Sequence, residues 1–223
     1  MIVFGHRGAP GYPRRAENTI ASFQRALQLG ATGLEFDVRR CGDGRLVVIH
    51  DETIDRTTNG RGRVADFSYE ELRRFDAGGG ERIPLLAEVL DQFGPKCILN
   101  IELKDLDIAA DVKSLVLEKQ LQRQVIVSCF DWKELAPLGR EVPFALLASK
   151  LSKLIPAAKD LGAVAVHPCL DLVTAELISK AHDADLRIHV WTVNEPNDIA
   201  RLRMQGADGI FTDCPDRCST RVS

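Results

Sequence analysis

Apolar residues along the chain recur with two different periods. Short runs rich in valine, isoleucine and leucine fall near residues 2–5, 32–38, 97–103, 124–129, 143–147, 163–167, 187–193 and 208–212. Most are bounded by glycine, proline or polar residues and predict strands. Between them lie helical stripes. Ile20, Phe23 and Leu27 share one face, with Asn18 a candidate N-cap and Gly30 a candidate residue just past the C-terminus. Leu177, Ile178 and Ala181 form a second stripe. Ile199 and Leu202 form a third, with Asn194 in N-cap position, Pro196 in the first turn and Gly206 as the stop. Eight strand–helix alternations predict an α/β fold, a (β/α)8 TIM barrel, as a single domain over 1–223. In a doubly wound open sheet, central strands read as continuous apolar runs. Here the strands at 32–38 and 97–103 carry charges on one face, which suits strands opening into a barrel mouth.

One stretch breaks the alternation. Residues 39–96 lie between the second and third barrel strands, too many for one loop and one helix. This predicts a short insertion over approximately 41–83. It starts with Cys41-Gly42-Asp43-Gly44, a hairpin signal. Leu46 to Ile49 then returns toward the barrel mouth and brings His50 near Glu35. Thr57-Thr58-Asn59-Gly60-Arg61-Gly62 reads as a polar loop. Ser68-Tyr69-Glu70-Glu71 reads as a capping box opening a short helix with Leu72 and Phe75. The excursion is a candidate lid or specificity element.

The polar positions suggest chemistry. Side chains alternate along a strand, so Glu35 and Asp37 share a face while Leu34, Phe36 and Val38 share the other. On the strand at 97–103, Asn100, Glu102 and Lys104 point away from Leu99, Ile101 and Leu103. Each piece has an ordinary reading: a solvated Glu-x-Asp face, a neighbouring Glu102–Lys104 ion pair, a hydrogen-bonded structural histidine. Together they allow more. Two adjacent acids repel unless a cation or histidinium lies between them. Oxygen-only ligands suit a hard divalent cation such as Mg²⁺ or Ca²⁺, and Glu102 could complete such a site. Lys104 could meet an anion. His6, Glu35, Asp37, Glu102, Lys104, His167, Trp191 and Asp213 all fall at or just past strand ends, where barrels build active sites. Histidines, carboxylates, Arg7 and Lys104 suit an anionic substrate, such as a phosphodiester, cleaved with acid and base help. One histidine would activate the attacking hydroxyl or water. The other would protonate the leaving alkoxide.

Composition narrows the partners. A net charge of −3 and a pI near 6.0 exclude a whole-protein basic field for nucleic acid. No apolar stretch approaches the ~20 residues needed to span a bilayer. Six cysteines are scattered without a C-x-x-C pair, and the chain begins directly with a strand. Both features predict reduced thiols and a cytoplasmic location.

At these residues the chain resembles the glycerophosphodiester phosphodiesterase family. The matching motifs are His6-Arg7-Gly8, Glu17-Asn18-Thr19, Glu35-x-Asp37-Val38, and Asp43-Gly44 through His50-Asp51. They continue with Thr57-Thr58-Asn59-Gly60, Ile101-Glu102-Leu103-Lys104, Trp191-Thr192-Val193-Asn194 and Thr212-Asp213-Cys214-Pro215, in order over nearly the whole chain. The resemblance implies a (β/α)8 barrel that hydrolyses glycerophosphodiesters to an alcohol and sn-glycerol 3-phosphate. It implies a divalent metal on Glu35, Asp37 and Glu102, and acid–base catalysis by His6 and His50. It also implies phosphate contacts from Arg7 and Lys104. Trp191 looks like the family's aromatic in the substrate cleft, against the alternative of barrel packing. His50 is expected to be the general acid and His6 the general base. His167 and His189 receive no role, and His182 is expected to face solvent. Two rivals stand beside this reading: another metal-dependent barrel acting on sugar phosphates, and a non-catalytic phosphate-ligand-binding barrel. The choice of alcohol, the choice of Mg²⁺ or Ca²⁺, and the oligomeric state stay open at this level.

Overall fold

The computed structural model describes residues 1–10 and 16–218; residues 219–223 of the expected domain lie outside them. Eight parallel strands close on themselves: β1 (Ile2–His6), β2 (Gly33–Arg40), β4 (Ile98–Leu103), β5 (Val125–Cys129), β6 (Phe144–Ala148), β7 (Ala165–Pro168), β8 (Arg187–Val190) and β9 (Gly209–Thr212). Closure is direct, because β1 pairs in parallel with both β2 and β9. Strand β3 (Leu46–Val48) pairs antiparallel with β2 through the predicted hairpin. The helices are α1 (Ile20–Gln28), α2 (Tyr69–Leu72), α3 (Leu86–Phe93), α4 (Ala109–Glu118), α5 (Leu154–Leu161), α6 (Ala175–Asp183) and α7 (Pro196–Gln205).

Strand alternation sorts the side chains into two packed layers. Leu34, Phe36, Val38, Leu99, Ile101 and Leu103 share one buried cluster with Phe23 of α1, Leu90 and Phe93 of α3, and Val112 and Val116 of α4. The opposite faces fill the barrel. Near one end Ile126, Ala145 and Ala165 pack together. Above them Phe4 stacks on Phe211 at 4.8 Å, beside His167 and His189, both fully buried. These two rings hydrogen-bond each other, with His189 Nδ1 3.0 Å from His167 Nε2.

Two helix starts differ from expectation. Thr19, not Asn18, caps α1: its hydroxyl accepts from Ser22 N–H at 3.2 Å. Glu195 occupies the N-cap position of α7, one residue after Asn194, and makes no side-chain cap. Both asparagines turn their amides to carboxylates at the barrel mouth instead. Strand β8 also stops short of residue 193; beyond it an isolated bridge joins Trp191 to Cys169, and Val193 N–H donates to Phe211 O at 2.8 Å.

Between β2 and β4 the chain builds a small core of its own. Cys41, Val47, Ile49, Ile54, Val64, Leu72 and Ile83 are buried together. Ser68 and Glu71 form the expected reciprocal capping box at α2. This packing fixes the path of the segment that carries His50.

Candidate active site

The mouth of the barrel gathers the charged residues. Glu35 and Asp37 rise from β2 and Glu102 from β4, with Asp37 directly opposite Glu102 in register. The three carboxylates offer ligand atoms within 4.8 Å of one another, and all three side chains are buried. Arg7 donates its backbone N–H to Glu35 Oε2 at 2.9 Å. Asn18 donates to Asp37 Oδ2 at 2.9 Å, and the Arg7 guanidinium lies 3.3 Å from the same oxygen. Lys104 pairs with Glu102 and lies 3.2 Å from Asp37 Oδ1. That second approach is an ion pair without hydrogen-bond geometry, so Asp37 Oδ1, like Glu35 Oε1, is buried with no hydrogen-bond donor.

Burial and then repulsion by Asp37 push the Glu35 carboxyl up to about 8. The same two causes raise Glu102. Burial acts upward on Asp37 too, but Lys104 and Arg7 outweigh it and hold Asp37 below the usual carboxylate range. The donor set is therefore oxygen only, buried, and includes two oxygens with no donor. It fits a hard divalent cation, which would relieve the repulsion that lifts Glu35.

Two imidazoles face this cluster, each tied to an aspartate. His6 Nδ1 lies 2.8 Å from Asp213 Oδ1, while its Nε2 lies 3.9 Å from Glu35. His50 Nδ1 lies 2.6 Å from Asp51 Oδ1. An ionised carboxylate only accepts, so each Nδ1 carries the proton and each Nε2 is left for other partners. The two aspartates are held in turn. Asn194 donates to Asp213 Oδ2 at 2.9 Å and accepts from Asp213 N–H at 2.9 Å. Arg56 donates to both oxygens of Asp51. Burial lowers His6, but the Asp213 hydrogen bond and the Glu35 charge more than offset it, and the net shift is upward. Burial also lowers His50, and there Asp37 and Asp51 do not offset it. With the protein's own charges, His6 is thus shifted upward and His50 downward.

A cleft of about 150 Å³ lies between these groups. One wall is His6, Arg7, Glu35, His50, Glu102 and Lys104; the other is Phe130, Leu147, Trp191 and Phe211. Trp191 lines the cleft, edge-on to Phe130 at 5.6 Å, and its indole N–H donates to His167 O at 2.7 Å. A larger depression of about 940 Å³ lies beside α1, past Glu17 and Arg56, but no histidine faces it. Glu35, Glu102, His6 and His50 border the smaller cleft.

His6, Arg7, Glu35, Asp37, His50, Glu102, Lys104 and Trp191 thus meet at one mouth. Sequence reasoning assigned no site role to Asp51, Glu17 or Arg56, placed Asp213 only at a strand end, and took Asn194 for a helix cap. All but Arg56 stand inside motifs already singled out, and Arg56 directly precedes one. His167 and His189 sit inside the barrel below the cleft, and His182 is exposed on α6, 2.9 Å from Asp208.

Residues 6–217 match the model of the glycerophosphoryl diester phosphodiesterase family. A glycerophosphodiester phosphodiesterase of Caldanaerobacter subterraneus subsp. tengcongensis is 38% identical over 233 residues, covering 96% of this chain and 95% of that protein. One from Bacillus altitudinis is 39% identical, covering 96% and 95%. Among solved structures, a glycerophosphodiester phosphodiesterase from Agrobacterium tumefaciens superposes with a TM-score of 0.87 at 30% identity, over 98% of both chains. A phosphodiesterase of Oleispira antarctica, solved with its product sn-glycerol 3-phosphate, superposes with a TM-score of 0.85 at 28% identity, over 98% of this chain and 95% of that one.

Proposed function

The chain belongs to the glycerophosphoryl diester phosphodiesterase family and is an enzyme that hydrolyses glycerophosphodiesters, and from that premise we propose that it releases an alcohol and sn-glycerol 3-phosphate by divalent-cation-dependent catalysis with two histidines. One observation carries the reading. Two imidazoles, each fixed by its own aspartate, line a cleft beside a cluster of three buried carboxylates, two of which, Glu35 and Glu102, border it. The Oleispira relative's product supports the choice of fragment.

Glu35, Asp37 and Glu102 would hold Mg²⁺ or Ca²⁺. When bound, such an ion supplies positive charge to the phosphoryl oxygens. Arg7 and Lys104 border the same cleft and contribute fixed charge to the phosphate. His6, the more basic ring, carries the proton for the departing alkoxide. His50, the less basic ring, accepts the proton of the attacking hydroxyl or water. Phe130 and Trp191 face the carbon skeleton of the substrate. Among the described residues no helix is long and apolar enough to cross a membrane. The six free thiols support a reducing, cytoplasmic setting.

The test is release of glycerol 3-phosphate from a panel of glycerophosphodiesters, with and without chelator. EDTA should abolish turnover, and Mg²⁺ or Ca²⁺ should restore it; full activity after exhaustive dialysis against EDTA sinks the cation assignment. A nitrophenyl ester then separates the histidines, because nitrophenolate leaves without a proton. His6→Ala should lose about 10²–10⁴ in rate on the natural ester and much less on the nitrophenyl ester. His50→Ala should lose comparably on both. Rescue of His50→Ala alone reverses the order, and rescue of neither rejects the acid–base pair.

A further inference from the structure

We infer that Arg56, on the insertion, is a positioning residue: it locks His50 through Asp51 and ties that histidine to Arg7 through Glu17. The inference rests on the reading of His50 as an acid–base group.

A single guanidinium spans two carboxylates. Arg56 Nε donates to Asp51 Oδ2 at 2.6 Å, and Nη2 to Asp51 Oδ1 at 2.9 Å. That same Oδ1 receives the His50 ring nitrogen at 2.6 Å. On the other side, Nη1 donates to Glu17 Oε2 at 3.0 Å and Nη2 to Glu17 Oε1 at 2.8 Å. Glu17 Oε1 also accepts from Arg7 Nη1 at 3.0 Å. The relay runs His50, Asp51, Arg56, Glu17, Arg7. Only a planar fork with several fixed donors can serve both carboxylates at once; a lysine offers a point charge.

The geometry does what a histidine needs. With His50 as its sole partner, Asp51 could swing about its own side-chain torsions and carry the ring with it. Arg56 holds both Asp51 oxygens, so the acceptor is fixed in place. The ring is then fixed at Nδ1, and its backbone carbonyl is fixed separately by Arg39 Nε at 2.9 Å. The arginine's mount is rigid. Ile54 is fully buried in the insertion's own core, and its carbonyl accepts from both the N–H and the hydroxyl of Thr58, at 3.0 Å and 2.8 Å. Gly62 N–H closes the loop onto Asp55 at 2.9 Å. Hydrogen bonds from Arg56 come first in keeping Asp51 ionised, well below the usual carboxylate range. The insertion is thus more than a lid, because it places a group that the acid–base chemistry needs.

A mere staple between insertion and barrel would use the same bonds, so kinetics must separate the two. Arg7 keeps its ion pair to Asp37 when Arg56 is lost. Its grip on phosphate should survive, while His50 loses its brace. The defect therefore belongs in kcat rather than KM.

The experiment measures kcat and KM at saturating Mg²⁺ for Arg56→Ala, Arg56→Lys, Asp51→Asn, the double variant Asp51→Asn/Arg56→Ala, His6→Ala and His50→Ala. Each is assayed on glycerophosphocholine and on a nitrophenyl phosphodiester. Arg56→Ala should lose roughly 10–100-fold in kcat with little change in KM. Its losses on the two substrates should parallel those of His50→Ala, in weaker form, and not those of His6→Ala. The double variant should be no worse than Asp51→Asn, since both changes break one relay. Millimolar guanidinium ion should restore part of the Arg56→Ala rate, and Arg56→Lys should stay impaired. If Arg56→Ala does not fold, Arg56→Gln and Arg56→Lys carry the same comparison. A kcat within about twofold of the parent with a lowered Tm overturns the inference, as do fully additive losses in the double variant or a His6-like substrate pattern. Full activity in His50→Ala overturns both this inference and the acid–base reading. A dead His50→Ala beside unimpaired Arg56 variants overturns this inference alone.

Discussion

Glu35 illustrates, at the scale of one residue, a site kept at the expense of stability. Its carboxyl is buried beside Asp37 and is pushed up to about 8. A raised carboxylate pKa means the folded state binds more protons than the unfolded state between the two values. The Glu35 contribution is therefore favourable below the unfolded pKa and is lost as pH rises through about 8. Glu35→Gln removes the charge but keeps an oxygen for the Arg7 N–H. We expect the variant to melt several degrees above the parent at pH 9 in EDTA, to match it near pH 5, and to lose at least ~100-fold in activity. A lower Tm at pH 9 would show that the carboxylate stabilises the fold. The acid cluster was legible in sequence because the two-residue period of a strand decides which side chains share a face, whatever lies around it. The partners were not legible. His6 and Asp213 lie 207 positions apart, and Arg56 and Glu17 lie 39 apart. No local period reports such a contact. Asn18 and Asn194 mislead for a related reason. The same amide can cap a helix or brace a carboxylate across the barrel mouth, and sequence displays only the local use.

At the scale of elements, the junction of β1 with α1 aims Arg7. Arg7 itself has φ 55° and Gly8 φ 92°, so the chain turns sharply after His6. A Cβ on Gly8 would lie 2.2 Å from Ser22 Oγ and 2.7 Å from the Ser22 backbone carbon, and backbone cannot move aside cheaply. Ser22 is also engaged: its hydroxyl donates to Arg7 O at 3.0 Å and accepts from Ala9 N–H at 3.0 Å. Gly8→Ala should therefore cost about 2–4 kcal/mol in denaturant unfolding and should lower activity further by displacing Arg7. A loss under about 0.5 kcal/mol would mean the turn relaxes. The elements were well marked in the sequence, since each strand found lies close to a predicted apolar run. The insertion was marked by spacing, by its hairpin signal and by the Ser68–Glu71 capping box. Its remaining detail, the 3-10 turn Val64–Asp66 and the exact ends of its short elements, is set by its small buried core. A three-residue turn has no period long enough to read.

The closed barrel shows, at the scale of the whole molecule, why some polar residues serve the fold and not the site. Counting strand–helix alternations was enough to predict closure, but not what fills the interior. There His167 and His189 hydrogen-bond each other beside Phe4 and Phe211, and His167 Nδ1 and His189 Nε2 have no partner. Burial holds both rings neutral, with His189 down to about 4 and His167 displaced the same way. A depressed histidine pKa means that between that value and the ordinary 6.5 the unfolded chain binds the extra proton. Stability is then full above about 6.5 and falls as pH drops toward 4. The His189 shift corresponds to a loss on the order of 3 kcal/mol. The raised carboxylates of the site act with the opposite sign over part of this range, so the wild-type curve alone does not isolate the effect. Comparison with His189→Gln does, because the two proteins share every carboxylate. Between pH 7 and pH 4.5 the denaturation midpoint of the parent should fall further than that of His189→Gln, with His167 left to account for a residual loss. Equal acid sensitivity in the two proteins would mean that His189 reaches solvent or a proton acceptor within the barrel, and that the closed interior tolerates charge.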